Sequence, residues 1–536
     1  MSTNYTAITI GPIYDTMELT SSPGGLWGAS CLFSWIARAL IQSLVALGVP
    51  EEEFVAPCFC LDREQQVTLA FPEADGVCER MRNQGVGMFH DRIIFRSQTV
   101  PKPLELVKQA RTLVIQKLAQ ELGGESEKNK LWLESYLRIY ALSMDVPEQQ
   151  SPLIYLGKYL SAMELEPQFH GEEAENLLLR LFENVAAGKG DTGQRPDYRN
   201  ALLKDSFLRK DLTGRWLLFG RGEKIRDLES IASLEEKVVK KHQQYYVVLK
   251  SDGDSMGAML AKLTDKDAIR AYSRQCLIFC ARAAEQIMRY GGMPLYAGGD
   301  DLLALLPAAG WNPETGSPCT VFALAESLRT LFNTSFAEAR KEHDGRPTIS
   351  FGLSVQFYKS PLYEALKKAD EMLWTAKSDK KNACCIHLQK HSGQSVRFCE
   401  EQMDRYEGTG QQNLYAALDA LLEKTQNEKP EEAVNFLSRA GYQIELFRAL
   451  FHRAILLPEE RKTIVHNLFA NLFDNADQKN FKSYLEELEK LTVQIFDHAD
   501  RLNGEDEAQF LNRTMGQVHA AVRLLHFMRE KKEAEA

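Results

Sequence analysis

Four stretches of different hydrophobic rhythm follow one another along the chain. Over the first hundred residues short apolar runs alternate with turns. Thr6 to Ile13 and Glu53 to Leu61 read as strands, Leu26 to Leu47 as a long helix between them, and Gly87 to Phe95 as the entry to another strand. From Leu104 to about Gly190 the period becomes helical, as in LELVKQARTLVIQKLAQEL. Residues from about 190 to 240 are polar, rich in Arg and Lys and without clear period, and read as a connecting segment. Strand–helix alternation returns between Gln243 and Gln389. After His391 only helices are expected, with Pro430 and Pro458 just before the starts of two of them.

The third stretch resolves into ordered elements. Tyr245 to Lys250 is a short apolar strand that Ser251-Asp252-Gly253-Asp254 should end. A helix is expected from about Thr264, with Asp267 as its capping partner, and Gly291-Gly292 stops it. Met293 to Ala297 and Leu302 to Leu306 form a hairpin whose turn, Gly298-Gly299-Asp300-Asp301, presents two carboxylates. A helix through Phe322 to Arg340, a strand over Thr348 to Tyr358, a helix from Ser360-Pro361 to Lys377 and a strand over Ala383 to Leu388 complete the series. The order β-α-β-β-α-β-α-β is that of a ferredoxin-like unit with an addition.

In that topology the first strand and the hairpin are neighbours, so Asp252, Asp300 and Asp301 converge at one sheet edge. A small cluster of carboxylates suits Mg²⁺ or Mn²⁺, which complete their shells with water and substrate phosphates. Two such ions about 3.5–4 Å apart can polarise an attacking hydroxyl and stabilise leaving pyrophosphate. The glycines beside the acids, Gly253, Gly298 and Gly299, let phosphates approach the backbone. Taken singly, Gly-Gly-Asp-Asp is also an ordinary hairpin turn, and Asp252-Gly253-Asp254 lacks the continuation of a calcium loop. Their joint placement favours a metal site. Lys377, followed by Lys380 and Lys381, either neutralises a bound triphosphate or ends a solvated helix.

Bulk composition narrows the class without choosing the chemistry. The 536 residues exceed a single core and are 44% hydrophobic and 26% charged, as in a soluble globular protein. A formal charge of −10 does not suggest a free nucleic-acid binder, though it leaves room for a basic groove or for RNA met through basic partners. The ten cysteines contain no C-x-x-C pair, which argues against a zinc ribbon, and most read as reduced core thiols. Met1 to Thr9 lacks the pattern of a signal peptide, and Leu26 to Leu47, interrupted by Arg38 and Gln42, reads as a buried helix. The expected compartment is the cytoplasm.

YYVVLKSDGDSMG, YAGGDDLLALLP and SFGLSVQFYKSPLYEALKKADEMLWTAKSDKKNA closely resemble the palm of the large subunit of type III CRISPR–Cas effector complexes. ITIGPIYDTMELTSSPGGLWGASCLFSWIARAL, with GMFHDRIIF downstream, looks like the degenerate first palm of the type III-B version. The resemblance implies an α+β protein with two ferredoxin-like palms and two helical domains. The divisions are 1–103 for a degenerate palm, 104–240 for a helical domain and connecting segment, 241–390 for the catalytic palm, and 391–536 for an all-helical domain. It implies a nucleotidyltransferase that turns ATP into an adenylate messenger when a guide complex binds target RNA. The product is cyclic oligoadenylate or, in some relatives lacking a nuclease, a conjugate with S-adenosylmethionine. Carried over, Asp252, Asp300 and Asp301 hold metal, Gly298 and Gly299 admit the nucleotide, and Lys377 binds phosphate. Ser255 and Ser350 become nucleotide neighbours. The expected partners are the other subunits, small helical ones included, with guide and target RNA met through the complex and no membrane.

Many relatives open with an HD nuclease domain. The His90-Asp91 and His343-Asp344 dipeptides lack the further helical ligands that such a site needs and read as incidental, so DNA cleavage is not expected. Two alternatives stand beside this assignment. A diguanylate cyclase also carries Gly-Gly-Asp at its hairpin, but normally continues Glu-Phe where this chain has Asp301-Leu302. A catalytically inactive palm would serve only as a scaffold.

Overall fold

The computed structural model describes residues 2–18, 22–121, 126–165, 227–234, 236–342, 347–378, 381–400, 403–405, 412–424, 430–473, 479–502 and 504–530. Most of the expected connecting segment, and the His343-Asp344 turn, lie outside these residues.

Two α/β units share one topology. In the first, β1 (Ser2–Gly11), β2 (Phe54–Ala56), β5 (Arg92–Arg96) and β6 (Arg138–Pro147) form an antiparallel sheet in the order β2-β5-β1-β6. A ribbon of β3 (Cys60–Leu61) and β4 (Val67–Thr68) stands apart from it. After α1 (Ile13–Glu18), α2 (Pro23–Ala46) leads from β1 towards β2, and α3 (Val77–Asn83) precedes β5. The return from β5 to β6 is made by α4 (Pro103–Glu121) and α5 (Ser126–Tyr136), and α6 (Pro152–Glu164) then packs on β1 and β6. β6 falls where a continuous helical period was expected. It pairs with β1 from Ser2↔Pro147 to Gly11↔Arg138, so the first sheet reaches past the boundary set at residue 103. By length and composition α2 could cross a membrane, but Leu26, Trp27, Phe33, Ile36, Leu40 and Leu44 are buried in the protein core. Ser22 caps α2 by accepting from Gly25 N, and Pro23 opens its first turn.

The second unit opens with α7 (Leu228–Ser233) and β7 (Tyr245–Asp254). Short α8 (Met256–Leu260) and long α9 (Lys266–Tyr290) lead to β8 (Met293–Gly298) and β9 (Asp301–Pro307). A ribbon of β10 (Ala309–Trp311) and β11 (Pro318–Thr320), then α10 (Val321–Ser335) and α11 (Ala337–Glu342), precede β12 (Thr348–Phe357). α12 (Leu362–Ser378), β13 (Cys384–Gln389) and β14 (Ser395–Glu400) follow. The six-stranded sheet runs β14-β13-β12-β7-β9-β8. Its β12-β7-β9-β8 part repeats the fourth-first-third-second order of the first unit, the ferredoxin-like arrangement expected of a palm.

Several local expectations are corrected. β7 runs through Asp254 instead of ending at Lys250, held on one side by β12 as far as Thr348↔Asp254. The cap of α9 is Asp265, whose carboxylate accepts from Asp267 N and Ala268 N, instead of a Thr264–Asp267 pair. The helix expected over Phe322 to Arg340 breaks at Phe336. β14 is a strand in the region expected to be all helical, and Cys385 and Cys399, paired across β13 and β14, form a disulfide. The other eight cysteines are free and mostly buried.

Beyond β14 come α13 (Leu414–Lys424), α14 (Pro430–Leu446), α15 (Arg448–Leu456), α16 (Arg461–Leu472), α17 (Lys482–His498) and α18 (Glu507–Arg529). They share a hydrophobic core with both α/β units. Buried Glu400 of β14 accepts from Leu414 N at 2.6 Å and Tyr415 N at 2.9 Å, capping α13. At the other end of β7, Tyr245 meets Phe527 of α18 edge to face at 4.9 Å, and Lys241 pairs with Glu530 at 2.7 Å.

Candidate active site

The β8–β9 hairpin is closed by the Gly298↔Asp301 pair, leaving Gly299 and Asp300 as the turn. Gly299 has φ +71°, a conformation that glycine adopts without strain, and nothing stands within 4 Å of where its side chain would begin. The space before the turn is therefore open. Behind it, buried Cys280 of α9 donates to the Gly299 carbonyl at 3.2 Å. Burial pushes the Cys280 thiol well up, so it stays a donor. A buried thiol thus also supports the turn.

β7 lies beside β9, with Ser251 opposite Leu302, and so brings Asp252 to the same edge. Asp252, Asp300 and Asp301, all half-buried, each offer an oxygen within 4.8 Å of the others. Gly253 is required between them: a Cβ there would lie 2.5 Å from Asp300 Oδ2 and 2.7 Å from Met256 Cγ. Burial and neighbouring negative charge disfavour ionisation of Asp300 and Asp301. Burial, then the charge of Asp252, raises the Asp300 carboxyl to about 7, and burial, then Asp300 and Asp252, raises that of Asp301 well above the ordinary carboxylate range. Hard oxygens gathered at this spacing, with charge still to be neutralised, fit one or two divalent cations.

Lys377, at the end of α12, donates to Asp252 Oδ2 and, at 3.0 Å, to the Gly253 carbonyl. Asp254 points into the protein. It is 1% exposed, and its Oδ2 accepts from Thr348 Oγ1, Ser350 Oγ and Asn382 N, each at 2.8 Å. Ser350 is thus fully buried and committed to Asp254 rather than open to a nucleotide. Ser255 follows Asp254 with φ +61° at the head of α8 and does not line the cleft described next.

A cleft of about 540 Å³ opens in front of the acids. Gly298, Gly299, Asp300, Asp301 and Asp252 form one wall, with Lys250, Tyr272, Cys276 and Tyr296 beside them. Lys250 is held by Asp370 of α12 at 2.5 Å. The facing wall comes from the first α/β unit and includes Ile13, Ala56, His90, Asp91, Arg92 and Ile94. Burial lowers the His90 imidazole to about 4 and raises the Asp91 carboxyl, so both are biased towards their neutral forms. Reading His90-Asp91 as incidental is therefore corrected as to place: the pair lines the same cleft as the acids. Only the register of the first sheet against the second could have revealed this.

The two units are fastened at that cleft. Gly87 bridges to Tyr296 of β8 and its carbonyl accepts from Ala297 N at 3.0 Å, while Ser30 donates to the Leu295 carbonyl at 2.6 Å. From α9, Ser273 accepts from Cys58 N at 2.9 Å and Arg270 donates to the Glu51 carbonyl at 2.9 Å.

Comparison with known proteins agrees with this geometry. Residues 245–385 match the family model of the Cas10/Cmr2 second palm domain. The CRISPR system Cmr subunit Cmr2 of Pyrococcus furiosus is 26% identical over 198 residues, covering 32% of this chain but only 21% of that protein. Among solved structures, the Csm1–Csm4 subcomplex of a type III-A CRISPR-Csm interference complex is similar in fold, with TM-score 0.51 and 14% identity over 92% of this chain and 70% of that one. A Csm1–Csm4 cassette in complex with pppApA gives TM-score 0.51 and 14% identity over 98% and 69%. Residues 245–385 are thus similar to the second palm domain of Cas10/Cmr2, within a chain similar in fold to the Csm1–Csm4 structures.

Proposed function

We propose that the chain is the large subunit of a type III CRISPR effector and that its second palm joins adenylates from ATP into a messenger, as cyclic oligoadenylate or as a conjugate with S-adenosylmethionine. The observation that carries this is the convergence of Asp252, Asp300 and Asp301 on a cleft whose other wall is the first α/β unit. An inactive scaffold would have no need to hold three mutually repelling carboxyls together. Csm1–Csm4 cassettes of similar fold were obtained with pppApA and with cA4, which supports an adenylate chemistry for the shared architecture.

In the proposed reaction the 3′-hydroxyl oxygen of one nucleotide attacks the α-phosphorus of another, the new P–O bond forms, and the bond to pyrophosphate breaks. Divalent ions, when bound, activate that hydroxyl and offset charge on the phosphates. Asp252, Asp300 and Asp301 would hold them. Gly299 leaves the backbone of the turn open to phosphate, while the Tyr296 hydroxyl lies 2.5 Å from where a side chain at Gly298 would begin. His90 and Asp91 line the opposite side of the cleft, where they would meet a substrate bound against the acids. Lys377 supports the site from behind Asp252.

The remaining subunits, the guide RNA and the target RNA would complete the assembly, in the cytoplasm, with target RNA as the activating signal. The test is mass spectrometry of products from ATP, with and without S-adenosylmethionine, for the chain alone, the guide complex and the complex with complementary RNA. The proposal expects adenylate products chiefly in the last. Absence of any adenylate product in all three would overturn it.

A further inference from the structure

Lys377 stands where a cation would otherwise be needed. Its ammonium donates to Asp252 Oδ2, an oxygen of the acid cluster, and also reaches 3.9 Å from Asp254 Oδ1. That second oxygen is buried and has no hydrogen-bond partner, although Oδ2 of the same carboxylate has three. A buried carboxylate oxygen left unpaired is costly unless a donor can reach it. The Lys377 side chain is a quarter exposed and anchored at the last turn of α12, so a small rotation would carry it between the two acids. The Gly253 carbonyl, 3.0 Å from the ammonium, stands between those acids in sequence and would hold it in either position.

We infer that Lys377 is an internal counter-ion that exchanges between two partners: it holds Asp252 while the acid cluster lacks a divalent cation, and moves to Asp254 Oδ1 when Asp252 takes one. This rests on the proposed metal role of the three acids and adds its regulation. Lys377 is then a positioning residue. It keeps the empty cluster from splaying apart, and each cation that binds must displace it, which sets a threshold on metal occupancy.

The test is Mn²⁺ affinity of the full chain without nucleotide, read by electron paramagnetic resonance, with thermal unfolding as a check on folding. Lys377→Met, which keeps the stem and removes the charge, is expected to bind Mn²⁺ roughly threefold to tenfold more tightly than the parent, the scale of releasing one half-buried ion pair. Lys377→Gln should behave likewise. Asp254→Asn, which weakens the alternative partner, should bind Mn²⁺ more weakly. A merely structural lysine would give weaker binding in every variant. The Asp300→Ala/Asp301→Ala chain separates the two ideas. If it binds Mn²⁺ as the parent does, the metal site itself is misplaced and this inference fails with it. If it loses binding while Lys377→Met and Lys377→Gln bind no more tightly than the parent, the exchange alone is overturned.

Discussion

At the residue scale the site is defined by carboxyls that resist ionising together. Asp300, raised from the ordinary carboxylate range to about 7, binds more protons in the folded chain than in the unfolded one. The cation-free protein therefore gains stability from this group at low pH and loses it as pH rises from about 4 through 7. A divalent cation held by these acids would reverse that penalty and would displace protons on binding. The stabilisation produced by 5 mM-scale Mg²⁺ should accordingly be larger at pH 8 than at pH 5.5, as differential scanning fluorimetry would show. An equal shift at both pH values would mean that the acids are not the binding groups. The identity of these acids was legible in the sequence, because Asp252 and Asp300-Asp301 stand at strand ends that the topology makes neighbours. The roles of Ser350 and Asp254 were not. Nothing in linear spacing shows that Ser350 Oγ donates to Asp254, since that bond depends on the β12–β7 register.

At the scale of elements, the palm order was legible from period and turn signals, and the two missed strands have physical reasons. β6 is half-buried over most of its length, so no clean alternation marks it between the flanking helices. β14 does alternate, with Val396 and Phe398 inward, but the next inward position is Glu400, a charged residue that hides the pattern. Its burial is explained only by the distant helix start it caps, and burial raises its carboxyl to about 8. α12 is the element on which the back of the site depends, since it carries Asp370 and Lys377. It approaches β12 so closely that a Cβ at Gly352 would lie 2.3 Å from both the Ala369 carbonyl and Leu373 N. Gly352→Ala should push α12 off the sheet, costing roughly 1–3 kcal/mol as overpacking does and lowering product formation. Urea denaturation and an ATP turnover assay on the same preparation would check both. A variant of unchanged stability would show that α12 does not rest on this contact.

At the scale of the molecule, the parts are less separable than their sequence rhythms suggested. One hydrophobic core passes through both palms and the C-terminal helices. Phe322 of the palm packs 5.2 Å from Tyr415 of α13, and Tyr245 of β7 packs against Phe527 of α18. Long-range contacts of this kind have no signature along the chain. Removing residues after 400 should therefore unfold the second palm instead of leaving it able to bind ATP. Loss of the cooperative thermal transition in the truncated chain would bear this out, and a truncated chain with parental stability would contradict it. The palms are likewise held together by the Gly87 bridge and by α9, so the proposed activation by target RNA would have to work through smaller movements at the cleft instead of bringing separate palms into line. The most direct measurement for the whole account is adenylate product formed from ATP by the target-bound complex carrying Asp300→Ala and Asp301→Ala, compared with the parent complex. The account predicts intact assembly with product reduced by roughly three orders of magnitude or more, because the groups that would hold the charge-stabilising cations are gone. Near-parental product from the double variant would place the chemistry elsewhere.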